Sequence, residues 1–169
     1  CFILGQIGDP LAVPYLVRAA KSDTKESVRS VAQIALNKIR RYAVVPDSAP
    51  EAALFHLARL YYYGDPSVRR SSRFGHAIWN WSADEKRLVI QIVPDFLYNV
   101  SMARSVLVDA LQTNPDYDPV LPCLISTYHK EISLVERRLE MGRTMPEMKL
   151  SELEERELEP ELVVELLGE

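Results

Sequence analysis

His56, His76 and His129 are the natural general bases of this chain, and a hydrolase or lyase would set one of them beside a nucleophile or a metal. None stands at the spacing of a metal pair or of a catalytic triad motif. His76 falls where an apolar helix-packing position recurs, so it is expected to pack against a neighbouring helix. Asp116 and Asp118 lie in a proline-bounded turn, where carboxylates ordinarily cap backbone amides. Cys1 and Cys123 are too far apart for a metal or redox spacing, and no nearby basic residue would lower either thiol pKa. Burial is the expectation for them. Gly5 and Gly8 are the nearest thing to a glycine cluster, and they belong to a turn rather than a phosphate loop. The reading is of a chain with no catalytic residue, no metal and no cofactor.

Recognition is a different matter. Arg69, Arg70 and Arg73 precede Trp79 and Trp81, and arginine and tryptophan join large contact area to directional polar groups, as binding hot spots require. Arg69 and Trp79 are assigned to packing between helices, which leaves Arg70, Arg73 and Trp81 as the expected partner-binding residues. The run Tyr61-Tyr62-Tyr63 cannot be wholly buried, because consecutive helical positions point about 100° apart.

The elements that must position these residues read as helices. Val28, Ala32, Ala35, Leu36 and Ile39 repeat on one helical face, with Asp23 or Thr24 available as a cap and Arg40 and Arg41 at the far end. Ahead of them Gly8-Asp9-Pro10 makes a turn, and Val13, Leu16, Val17 and Ala20 form a second apolar stripe. The pair recurs: Leu54, Leu57, Ala58 and Tyr61 repeat the earlier stripe at an offset of 41, and Val68-Arg69 answers Val28-Arg29. Paired helices with a period near forty predict an all-α solenoid of antiparallel helix pairs.

The text Leu4-Gly5-x-x-Gly8-Asp9-Pro10-x-Ala12-Val13-Pro14-x-Leu16, then Val28-Arg29-x-x-Ala32-x-x-Ala35-Leu36-x-x-Ile39, resembles the HEAT repeats of the phycobilin-lyase type. The resemblance covers roughly residues 1–81, with the second copy degraded. It implies a stack of helix pairs whose concave face holds another protein. It also implies that Cys1–Gly5 is the tail of a preceding helix, so the chain is expected to be a piece of a longer protein with Phe2, Ile3 and Leu4 exposed.

Helices are expected to continue. Ser82 or Asp84 would start one carrying Leu88, Val89, Ile92 and Val93, and Pro94 would open the next, with Leu97, Val100, Arg104, Leu107, Val108 and Leu111 on one face. Leu121, Leu124, Tyr128, Ile132, Val135 and Leu139 stripe a further long helix, and Ala110-Leu111-x-x-Asn114-Pro115 with Leu124 and Tyr128 resembles a tetratricopeptide junction. The expected organisation is a helical-repeat domain over 1–142 and an acidic amphipathic segment over 143–169, where Ser151-x-x-Glu154 is a capping box.

Charge narrows the partners. From Pro146 onward nine glutamates face one lysine and one arginine, while the body before it is net positive by three. That balance disfavours nucleic acid, although a HEAT-like fold of the DNA-glycosylase type would grip a duplex through Arg40, Arg41, Arg69, Arg70 and Arg73. A bilin-lyase-like subunit is the other alternative that the resemblance implies. No run of about 18 apolar residues offers a membrane span, and two cysteines suit a reducing compartment, so a cytoplasmic scaffold binding another protein is the expectation.

Overall fold

A computed structural model describes residues 1–41, 49–68, 76–82 and 84–144, with side chains described as far as Met141. The chain divides into two compact units, Cys1–Arg70 with Asn99–His129, and Ser71–Tyr98 with Lys130–Glu169. It is mostly helical, with one small sheet.

The first unit opens with α1 (Phe2–Ile7), which ends at Gly8 in the left-handed conformation, φ 75°. Asp9 then accepts a hydrogen bond from the Leu11 amide at 2.9 Å and caps the 3-10 turn Pro10–Ala12, which leads directly into α2 (Val13–Ser22). A three-residue turn joins α2 to α3 (Glu26–Ile39). Asp23 accepts from the Lys25 amide at 2.9 Å in that turn, so it caps the turn, and α3 has no side-chain cap of its own. Arg29 reaches back and donates to the carbonyls of Asp23 and Thr24 at 2.7 and 3.2 Å, stapling the helix to the turn that starts it. The core of this pair is Val13, Leu16, Val17, Ala32, Ala35, Leu36 and Ile39. The small residues on α3 let α1 come in close. A Cβ added to Gly5 would lie 2.8 Å from both Cα and Cβ of Ala35.

Pro50 starts α4 (Pro50–Tyr63), which packs on α2 and ends at Gly64, again left-handed at φ 66°. Its stripe is the repeated one: Leu54, Leu57, Ala58 and Tyr61 are all buried, as are Val13, Leu16 and Val17 on α2. Tyr62 is partly covered and Tyr63 is 70% exposed, so the tyrosine run turns outward along the helix. Most of α5 (Asp95–Thr113) and the first part of α6 (Val120–Thr144) complete the unit. Phe55 meets Tyr117 edge to face at 5.9 Å, and the Asn114 amide donates to Glu51 at 3.2 Å.

The second unit departs from the all-α expectation. Where the second repeat calls for its second helix, the chain forms β1 (His76–Ser82), and where Ser82 or Asp84 would start another helix it forms β2 (Arg87–Val93). The two pair antiparallel from His76 with Val93 to Ser82 with Arg87. The turn between them is held by Ser82 Oγ, which accepts from the Glu85 amide at 3.2 Å, and by Lys86 in the left-handed region at φ 50°. Val68 is fully buried, while Arg69, Ser72 and Gly75 lie outside the described residues. Pro94 precedes α5 and its carbonyl accepts from the Leu97 and Tyr98 amides at 2.9 and 3.1 Å, so proline stands at the edge of the helix and loses no donor it needs.

On α5, the described face differs from the expected one. Val100, Ala103, Val106, Leu107 and Ala110 are buried, whereas Val108 is 37% exposed. The α6 stripe is helical throughout, yet Leu121, Tyr128, Ile132, Val135 and Leu139 remain exposed.

Candidate functional site

Strand pleating decides what the hairpin shows to solvent. Residues directly opposite across an antiparallel pair share a face, and alternate residues take opposite faces. One face therefore carries His76 with Val93, Ile78 with Gln91, and Asn80 with Val89; the other carries Ala77 with Ile92, Trp79 with Ile90, and Trp81 with Leu88.

The first face is anchored. His76, Ile78 and Val93 are buried, and His76 Nε2 lies 2.8 Å from Asp95 Oδ1 at the start of α5. Its ring stacks on Tyr98, centroids 4.0 Å apart with planes inclined by 26°. A histidine oriented by a carboxylate is half of a catalytic relay, but this one is 8% exposed with its ring covered by Tyr98, and it ties the hairpin to the helix.

The second face is bare. Trp79 is 54% exposed, Trp81 65%, Leu88 57%, Ile90 42% and Ile92 54%, with no charged residue among them. Trp79, expected in the core, is thus at the surface, and the reason is that residue 79 sits on a strand and not on a helix. Trp81 is exposed as expected. Of its expected companions, Arg70 and Arg73 lie outside the described residues. Five large side chains about half exposed present roughly 500 Å² of apolar surface, within the range of about 300–600 Å² for the largest apolar patch on a monomeric domain. The face is not expected from sequence because Leu88 and Ile92 also fit a helical stripe with Val89 and Val93, from which Ile90 is left out.

Two cavities of the first unit bear on chemistry. One, of about 600 Å³, is lined mainly by Pro10, Leu11, Val13, Ala53, Leu57 and Leu60, with His56 and Asp9 among its polar groups. Asp9 already caps the Pro10–Ala12 turn. The other, of about 430 Å³, lies beside Tyr15 and Arg18. There Arg18 comes within 3.7 Å of Asp109, and burial, with smaller opposing contributions from Arg18 and Tyr15, holds the Asp109 carboxyl above the ordinary carboxylate range. Burial, reinforced by the Asp109 charge, likewise pushes the Tyr15 hydroxyl up, so it stays neutral. These three groups satisfy one another.

His129 is exposed on α6, and Asp116 is a turn residue whose amide donates to the Asn114 side chain at 3.1 Å. Cys1 is exposed, contrary to the expected burial, while Cys123 is partly buried and burial raises its thiol pKa. Among the described residues no group of three histidine, cysteine or acidic side chains is placed to hold a metal ion, and no helix is long and apolar enough to cross a membrane. Comparison with protein-family models, with curated proteins and with solved structures returns no match to this chain.

Proposed function

We propose that the chain is a non-enzymatic helical scaffold of HEAT-like character that binds protein through the β1–β2 hairpin. What carries the reading is the charge-free face of Trp79, Trp81, Leu88, Ile90 and Ile92, exposed while His76, Ile78 and Val93 on the opposite face are buried. Burying such a face costs no desolvation of charge, and tryptophan is the residue most enriched at binding hot spots. The repeat character is supported by α2 and α3, which pack on each other across a three-residue turn, and by α4, whose buried positions reproduce those of α2.

The test is a photo-crosslinking residue at position 81, with position 37 on the exposed side of α3 as control. Discrete protein adducts from 81 and none from 37 are expected. Robust turnover in hydrolase, transferase or lyase screens, abolished by substituting His56 or His129, would sink the reading.

A further inference from the structure

Resting on that reading, we infer that the occupant of the hairpin face is a second copy of this chain. The layout of the face is self-complementary. Both tryptophans stand on β1, and their cross-strand partners on β2 are the aliphatic Ile90 and Leu88. A two-fold axis lying in the interface along the strand direction lays β1 of one copy over β2 of the other, so each indole meets aliphatic side chains and the bulky row fills the space over the lower row. Isologous contacts of this kind are the commonest in soluble oligomers.

Area and charge agree. Roughly 500 Å² from each copy makes about 1,000 Å² in all, the floor for a specific interface, without drawing on any other surface. No ionised group enters the contact. The mixed charges of the turn, Asp84, Glu85, Lys86 and Arg87, lie at its rim, where a parallel two-fold arrangement brings acids and bases of the two copies together. A two-stranded hairpin is marginal in water by itself, and a dimer would cover its open face.

The chain supplies its own probe, since Trp79 and Trp81 are its only tryptophans. Sedimentation of the full chain should give twice the monomer mass at high micromolar concentration, with tryptophan emission shifting to the blue as the dimer forms and returning to the red on dilution. The double variant Trp81→Thr, Leu88→Thr, which keeps strand-forming residues, should sediment as a monomer with an unchanged far-ultraviolet spectrum. A wild-type chain that stays monomeric with concentration-independent emission would overturn the inference, and so would a dimer that survives the double variant. Crosslinking from position 81 separates the two levels: a monomer whose residue 81 captures another protein leaves the scaffold reading standing, whereas a monomer whose emission shifts only on neutral lipid vesicles overturns both.

Discussion

Gly5→Ala probes the close approach of α1 to α3 in the first unit. In a helix interior alanine is favoured over glycine by about 1 kcal/mol, so propensity alone makes the variant stabilising. Packing says otherwise: the added methyl would sit 2.8 Å from Ala35 Cα and from Ala35 Cβ, separations that carbon atoms do not tolerate, and the obstacle is backbone that no rotamer change can move. Overpacking of this kind costs about 1–3 kcal/mol, and the immobile obstacle places it toward the upper end, for a net loss of about 1–2 kcal/mol. Urea unfolding followed by circular dichroism should show a lower midpoint, and hydrogen exchange should speed up at the α1 amides first, because the six-residue helix can relieve the clash by leaving α3. Adding Ala35→Gly removes only one of the two 2.8 Å contacts and introduces a second helical glycine, so it should not restore stability. A Gly5→Ala chain as stable as the parent, with unchanged exchange, would refute the close packing of α1 on α3.

Three further outcomes are expected. Lys86→Gly should stabilise the hairpin by about 0.5–1 kcal/mol, read from tryptophan fluorescence in urea, because glycine takes φ 50° without the Cβ clash that lysine suffers; destabilisation would mean that the turn is otherwise built. Asp109→Asn should gain stability over the parent as pH rises: with its folded pKa raised, Asp109 contributes least above that pKa, and the loss begins near the unfolded value of 3.8. A stability difference that stays flat from pH 3.8 upward would contradict the burial of that carboxyl. Iodoacetamide should modify Cys1 well before Cys123, whose thiol is pushed up by burial, and peptide mapping that finds equal rates would place Cys123 at the surface.

The helical part of the fold was legible because its signals agreed with one another. Asp9, Pro10 and Gly8 punctuate the chain where the turn occurs, and Val13, Leu16 and Val17 repeat as Leu54, Leu57 and Ala58, all of them buried. The hairpin was missed because its signals are degenerate. Ser82 and Asp84 suit a helix start as well as a turn, and Leu88, Val89, Ile92 and Val93 fall at i, i+1, i+4 and i+5, a helical stripe, although Val89, Ile90, Ile92 and Val93 are β-branched. Two features favoured the strand. Val93 precedes a proline, which biases it to extended backbone, and Ile78-Trp79-Asn80-Trp81 is dense in strand-forming side chains. The alternation there was masked because both faces of β1 carry large apolar residues, Ile78 on one and Trp79 and Trp81 on the other, and the anchoring of His76 to Asp95 and Tyr98 decides which of them is covered. That decision depends on a residue 19 positions away, and local periodicity carries no information about it. The site therefore follows from one long-range contact: the pairing that hides Ile78 and Val93 is what leaves both tryptophans in solvent.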